Sequence, residues 1–218
     1  MKDKDIHKII RILQKEARTW DIPAVGLVAE RTGDPFRVLI SCILSLRTKD
    51  RTTEKANDRL FSLVLTPEEI ARLPVKKIEK AIFPVGFYRT KAKTIKRLSK
   101  TLISKYNSKI PDDLDELLKL KGVGRKTANL VITLGYGKPG ICVDTHVNRI
   151  TNRWGYVKTR NPLETEMALR EKLPKKYWID INNLLVLYGQ NLCKPISPLC
   201  SRCRLFKYCE RVGVGKSR

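Results

Sequence analysis

The stretch of sequence that decides the fold is residues 120–131, LKGVGRKTANLV. Residues 114–120 have the apolar spacing of an amphipathic helix, and a second helix is predicted to begin at Arg125. The glycines between them predict a tight turn, so residues 113–135 indicate a helix-hairpin-helix. Glycine permits positive φ and close backbone approach, which leaves N–H groups at a helix start able to bind an anion such as a phosphate.

Other phosphate-binding motifs do not fit this stretch. Thr127 stands where the third glycine of G-x-G-x-x-G would be, and no G-K-[ST] closes a P-loop. The competing interpretation is an ordinary turn between two helices, with glycines present only for packing. Arg125 and Lys126 follow the turn directly and favour the anion-binding interpretation.

Helical spacing of apolar residues continues along the rest of the chain, beginning with Ile6, Ile9, Ile10 and Leu13. Asp34-Pro35 predicts a capped start for a helix that continues to Leu46. Further helices are predicted over 51–64, 67–73, 75–81, 89–106, 113–120, 125–135, 145–154, 162–173 and 178–191. Residues 141–143 form only a short apolar run, so the sequence predicts an all-α protein.

The composition indicates a polyanionic partner. Among 218 residues, 45 are Lys or Arg and 22 are Asp or Glu, a formal charge of +23 that favours nucleic acid over a merely basic surface. No stretch approaches the about 18 consecutive apolar residues of a membrane span, and the first ten residues lack the pattern of a signal peptide. We therefore expect a soluble monomer in the cytoplasm, associated with the nucleoid.

Four of the six cysteines predict a metal site. Cys193, Cys200, Cys203 and Cys209 follow the pattern C-x6-C-x2-C-x5-C, and four thiolates in one loop suit either tetrahedral zinc or a [4Fe-4S] cluster. The spacing alone does not decide between them. Cys42 and Cys142 lie in separate apolar surroundings, which makes a disulfide framework the weaker interpretation.

Three motifs in this order carry a resemblance to a known family: residues 120–131, residues 143–153 with the sequence VDTHVNRITNR, and the four-cysteine tail. Together they resemble the endonuclease III family of the helix-hairpin-helix-GPD superfamily, over nearly the whole chain. The resemblance implies a [4Fe-4S] cluster rather than zinc. It also implies two helical lobes with the active site in the cleft between them: a six-helix domain over 28–137, and a cluster domain built from 1–27 and 138–218.

The resemblance also implies an activity. A member of this family would flip a damaged pyrimidine out of duplex DNA, remove it as an N-glycosylase, and cleave the strand at the abasic site as a Schiff-base lyase. Lys126 matches the family's nucleophile and Asp144 its catalytic aspartate. Out of context, Lys126 would be interpreted as a surface lysine and Asp144 as a helix N-cap.

Further DNA contacts follow from the same comparison. In the hairpin they are Gly122, Val123, Gly124, Arg125 and Thr127, with Lys121 replacing the family's usual proline. Phe87 occupies the place of an apolar wedge, although a core aromatic is an equal interpretation. Arg47 replaces the usual glutamine that reaches the orphaned base, and His146 is either a DNA contact or a satisfied buried histidine.

Two alternatives remain open from the sequence. One is a mismatch-specific glycosylase of the same fold, because the lesion pocket cannot be read from the motifs. The other is a non-catalytic DNA-binding module with a structural zinc, which the hairpin, the charge and the cysteines would also permit.

Overall fold

The computed structural model describes residues 1–218 and contains twelve α-helices and no β-strand, which confirms the all-α prediction. The helices are α1 (Ile6–Ala17), α2 (Ala24–Thr32), α3 (Pro35–Ser45), α4 (Asp50–Phe61), α5 (Pro67–Arg72), α6 (Val75–Ile82), α7 (Tyr88–Tyr106), α8 (Leu114–Lys119), α9 (Arg125–Leu130), α10 (Thr145–Arg153), α11 (Pro162–Lys172) and α12 (Ile181–Asn191). None of them combines the length and apolar character that a bilayer crossing requires.

Several helices begin at a residue whose side chain caps the first turn. Asp34 accepts a hydrogen bond from Phe36 N at 2.8 Å and Pro35 occupies the first turn, as predicted for α3. Thr66 begins α5 with a reciprocal capping box, and Asp113 and Asn161 cap α8 and α11. Each cap satisfies a backbone N–H that has no partner inside the helix.

Two features differ from the sequence prediction. Helix α2 is absent from it, because this short segment contains Gly26 and is preceded by Pro23, whose side chain cannot cap a helix. The helix predicted over 125–135 is α-helical only to Leu130 and continues as one π-helical segment, Val131–Gly135. The apolar run 141–143 is buried but forms no strand.

One compact unit comprises residues 24–138 and is organised around α3. This helix is apolar on nearly all sides, and it packs against α2, α4, α7, α9 and the π-helical segment. Helix α7 is the longest, with 19 residues, and it packs against α5 and α6. A helix that is buried all round explains why this segment has no polar face in the sequence.

The other compact unit comprises residues 1–23 and 139–218. Helix α12 packs against α1 and α10, and α10 also contacts α11. The core of this unit includes the stripe that the sequence shows on α1, together with Trp154, Tyr156 and Tyr188. The first helix of the chain thus completes the core of the C-terminal region.

Candidate functional site

The hairpin between α8 and α9 depends on its first glycine. Gly122 has φ +99°, and a Cβ at this position would lie 2.7 Å from Thr94 Cγ2. Val123 N donates to Leu120 O at 3.0 Å, so this amide is used inside the turn. Gly124 is the N-cap of α9 and has open space where a side chain would be. Both glycines are exposed, and a ligand can approach the backbone closely at Gly124, where no side chain or neighbouring atom fills the Cβ position.

Lys126 lies in the first turn of α9 and its side chain is exposed. Arg125 is half-buried, whereas Thr127 is only 3% exposed, which leaves little of its side chain to contact a ligand. Burial raises the pKa of the Cys42 thiol to about 12, and the positive charge of Lys126 opposes this shift. Lys126 therefore lies close enough to the buried Cys42 thiol for its positive charge to affect the pKa of that thiol.

Asp144 is 9% exposed and caps α10. Its Oδ1 accepts from His146 N at 2.8 Å and from Val147 N at 2.9 Å. Both hydrogen bonds go to the same oxygen, so the carboxylate is fixed in orientation while Oδ2 takes no part in the cap. The N-cap interpretation of Asp144 is thereby confirmed as a structural role.

His146 faces the interior of its unit. A Cβ at Gly189 would lie 2.1 Å from His146 Nδ1, so glycine at this position of α12 makes room for the ring. Arg149 Nη2 lies 3.1 Å from the same nitrogen and donates to Cys193 O at 2.9 Å. This placement favours the interpretation of His146 as a satisfied, partly buried histidine.

The four C-terminal cysteines line one cavity, together with apolar side chains that include Trp154, Tyr188, Leu192 and Leu199. Arg153 connects α10 to this cavity, donating to Cys193 Sγ at 3.5 Å and to Lys194 O and Pro195 O, each at 2.6 Å. No group of three or more His, Cys, Asp or Glu side chains meets the geometry of a site for a single metal ion.

The surroundings of two of these thiols shift their pKa values. Burial raises the pKa of Cys203 and of Cys209 above the usual value. Tyr188 Oη lies 3.0 Å from Cys203 Sγ, and Arg211 N donates to Cys209 Sγ at 3.4 Å. Because burial disfavours an isolated thiolate, these sulfurs suit ligation to a cation that neutralises them.

Arg47 and Phe87 lie together at the surface of the unit formed by residues 24–138. The Arg47 guanidinium carbon is 5.7 Å from the centre of the Phe87 ring, which is 63% exposed. The interpretation of Phe87 as a core aromatic is therefore wrong. Both residues have positive φ, +52° and +58°, a conformation that non-glycine residues rarely adopt and that requires support from neighbouring groups.

Two residues near this pair were missed in the sequence. Phe83 is 56% exposed and packs edge-on against Tyr88 at 5.3 Å between ring centres. Lys91 is 7% exposed and donates to backbone oxygens near the end of α3. Lys91 is one of 45 cationic residues, and no local pattern distinguishes a buried lysine from the exposed ones.

Comparison with known protein families identifies the superfamily of this chain. The model of HhH-GPD superfamily base excision DNA repair proteins matches residues 40–175. The chain belongs to this superfamily. The matched residues include the hairpin, Lys126 and Asp144, whereas the four cysteines of this HhH-GPD protein lie beyond them.

Within the superfamily, the chain is similar to endonuclease III proteins. It is 50% identical over 188 residues to endonuclease III of Thermotoga maritima, covering 85% of this chain and 88% of that protein. A solved non-covalent endonuclease III–DNA complex matches with TM-score 0.86 and 36% identity, over 97% of this chain and 96% of that one. A trapped endonuclease III–DNA covalent intermediate, an estranged-adenine complex, matches with TM-score 0.84 and 34% identity over 97% of both chains.

Proposed function

We propose that this HhH-GPD protein is a bifunctional DNA glycosylase and abasic-site lyase that acts on damaged pyrimidines in duplex DNA. The observation that carries the proposal is Lys126, an exposed residue that follows the hairpin in the first turn of α9. A protein 34% identical to this chain has been trapped as a covalent intermediate with DNA. A lysine nucleophile accounts for such an intermediate, whereas an enzyme that activates water forms none.

The hairpin supplies the contact with the DNA backbone in this proposal. Gly122 and Gly124 allow a phosphate to approach the main chain, while Arg125 and Lys121 add positive charge. Val123 contributes through its buried side chain, 7% exposed, which anchors the turn. Thr127 is assigned to packing, since it is 3% exposed.

The first chemical step replaces one bond at the sugar with another. The amine of Lys126 attacks C1′, the C1′–N bond to the base breaks, and the base departs with the bonding electrons and the proton that the attacking amine gives up. The substrate nucleotide must first leave the stack, because stacking shields C1′ inside the duplex. Phe87 is the proposed wedge in the resulting gap, with Arg47 beside it contacting the orphaned base or a phosphate.

The second step cleaves the strand. The sugar ring opens as the lysine–C1′ adduct becomes a Schiff base, a proton leaves C2′, and the C3′–O bond breaks to release the 3′ phosphate. Water then hydrolyses the Schiff base and frees the Lys126 amine. We assign Asp144 to stabilising positive charge on the sugar and to accepting protons, because its carboxylate is buried and held rigidly by the cap.

The cysteine cavity fits a [4Fe-4S] cluster in donor chemistry. Four thiols surround one apolar cavity, and three groups contact their sulfurs: Arg153, Tyr188 and Arg211. We propose that Cys193, Cys200, Cys203 and Cys209 hold the cluster, which would tie the C-terminal loop to α10. Purified protein should be brown and contain four irons per chain, whereas a colourless anaerobic preparation with zinc would contradict the assignment. Cys203→Ala should lose the iron and Cys142→Ala should retain it.

Borohydride trapping tests the nucleophile. Wild-type protein should form a covalent adduct with abasic-site DNA under reduction, and Lys126→Ala should not. Lys100→Ala is the matched control, because Lys100 is an exposed lysine on α7 outside the proposed site. An adduct of equal yield with Lys126→Ala would show that another amine is the nucleophile. No adduct with the wild type would contradict the lysine mechanism, and the absence of base release as well would favour the non-catalytic DNA-binding module.

Substrate preference is tested separately. Single-turnover base release from duplexes that carry oxidised pyrimidines, mismatched thymine or mismatched adenine, each opposite all four bases, should be fastest with the oxidised pyrimidines. Faster release from a mismatch would assign this chain to the mismatch-specific alternative while leaving the lysine chemistry intact.

A further inference from the structure

Lys91 connects two loops that the proposed DNA contacts occupy. Its ammonium group donates to Leu44 O at 2.8 Å, to Leu46 O, and to Thr48 Oγ1 at 3.2 Å. Leu44 and Leu46 are at the end of α3, so a cation from α7 satisfies carbonyl groups that α3 leaves without helical partners. Burial lowers the pKa of Lys91 to about 8.

The second loop is held through Thr48. Its Oγ1, which accepts from Lys91, also accepts from Gly86 N at 3.2 Å. A Cβ at Gly86 would lie 2.6 Å from Arg47 O, so only glycine allows the two loops to approach this closely. One hydroxyl therefore connects Lys91, the loop of Arg47 and the loop of Phe87.

The groups that this network supports are themselves exposed and conformationally unfavourable. Arg47 lies just after α3 and Phe87 just before α7, and both residues have positive φ. Their side chains contact each other at the surface. Such backbone conformations persist where surrounding contacts hold them, and they are concentrated at functional sites. The buried network beneath Arg47 and Phe87 is the support that the structure provides.

We propose that Lys91 is a positioning residue for nucleotide extrusion, which sets the placement of Arg47 relative to Phe87 without contacting DNA. The inference rests on the proposed function, in which these two side chains fill the gap left by the flipped nucleotide. It assigns to Lys91 a step that precedes bond cleavage. The network should therefore matter for a base that must be extruded and much less for a site whose base is already missing.

The test compares two substrates with the same enzyme. Lys91→Met keeps most of the length of the unbranched side chain but removes its donors, and Lys100→Met on the same helix is the control. Base release from a duplex with an oxidised pyrimidine should slow by roughly ten- to a hundredfold, as expected when positioning groups shift by about 1 Å. Trapping at a preformed abasic site should change by less than about threefold, because the lyase step depends on Lys126.

A fluorescent base analogue opposite the lesion reports the extrusion step directly. Its emission should rise on binding of wild-type protein and of Lys100→Met, and should rise less with Lys91→Met at saturating protein. Equal losses of base release and trapping, or no loss of either, would overturn the positioning role. Absence of base release in the wild type would instead contradict the proposed function. In that case, hydrogen exchange at residues 46–48 and 86–88 tests the network alone. Faster exchange in Lys91→Met would support the network, and unchanged exchange would refute it.

Thr48 provides a second variant if Lys91→Met fails to fold. Thr48→Val preserves the shape of the side chain but removes the oxygen that accepts from Lys91 and Gly86. It should reproduce the selective loss of base release, and Thr48→Ser, which restores the hydroxyl, should recover most of it. A Thr48→Val protein with wild-type base release and fluorescence would overturn the proposal.

Discussion

At the scale of single residues, Asp144 combines a structural role with a proposed chemical one. Its Oδ1 accepts two backbone N–H groups at the start of α10, which an uncharged side-chain oxygen could also accept. The stabilisation of a positively charged sugar, in contrast, requires the negative charge. The two roles can therefore be separated by substitution.

Asp144→Asn should retain the cap and lose the charge. We expect base release to slow by about 10²- to 10⁴-fold, the usual range for an acid–base group, with little change in thermal stability. Asp144→Ala should lose the same activity and in addition about 1 kcal/mol of unfolding free energy, because the cap is gone. Single-turnover kinetics and urea denaturation measure the two effects, and equal stability losses in both variants would contradict the separation.

Lys91 gives the molecule a pH-dependent contribution to stability. Its pKa is about 8 in the folded chain, while the pKa of a lysine in an unfolded chain is about 10.4. At pH values between these two pKa values, Lys91 binds more protons in the unfolded chain than in the folded chain. Its contribution to the unfolding free energy therefore increases as pH rises. Well below about pH 8 this residue is protonated in both states and contributes no slope.

We therefore expect the difference in unfolding free energy between wild type and Lys91→Met to shift in favour of the wild type from about pH 7.5 to about pH 9.5. Urea denaturation at both pH values measures it, with Lys100→Met as the control for an exposed lysine. A difference that stays constant, or that shifts the other way, would contradict the lowered pKa of Lys91.

At the scale of secondary-structure elements, the two hairpin glycines have different requirements. Gly122 has positive φ and faces Thr94, whereas Gly124 has φ −101° and open space around its Cβ position. Gly122→Ala should cost about 1–3 kcal/mol of unfolding free energy, the range for an unfavourable backbone conformation, and should weaken DNA binding.

Gly124→Ala is the matched control, because alanine fits the fold at that position. It should remain close to wild type in urea denaturation, so a weaker affinity for DNA in this variant would report close phosphate approach rather than misfolding. A Gly122→Ala protein as stable as Gly124→Ala would contradict the assigned role of the positive φ.

Helix α10 connects two other features of its unit. Asp144 caps its first turn, and Arg149 and Arg153 on the same helix donate to the backbone of residues 193–195. The loop that contains the first cysteine is therefore attached to the helix that holds the proposed catalytic carboxylate. Hydrogen bonds from α10, the helix that Asp144 caps, therefore hold the start of the cysteine region in place.

At the scale of the whole molecule, the charge of +23 serves two purposes. Some cations hold the fold together by donating to carbonyl groups at helix ends: Arg59 to Ala81 O, Lys96 to Leu73 O, and Lys91 to Leu44 O. The remaining charge on the surface is available to DNA phosphates. The net charge alone consequently overstates the number of phosphate contacts.

Salt dependence of DNA binding distinguishes the two groups of cations. If the protein neutralises about six phosphates, the logarithm of the association constant should fall against the logarithm of salt concentration with a slope near −5. Lys121→Ala should reduce the magnitude of this slope by about 1, whereas Lys96→Met should leave it unchanged. Fluorescence anisotropy over a series of salt concentrations measures both, and equal slopes in all three proteins would remove Lys121 from the DNA contacts.

The sequence alone determined the local features of the protein: the helical class, the capped start at Asp34, the glycine hairpin and the grouping of four cysteines. These depend on side-chain spacing and on contacts within a few residues, which a linear sequence displays directly. Tertiary structure decided the burial of Lys91, the contact between Arg47 and Phe87, the interior position of Thr127 and the packing of His146 against Gly189. Each of these depends on elements that are distant in the chain, and the same residue types occur elsewhere in this sequence as ordinary surface or core side chains.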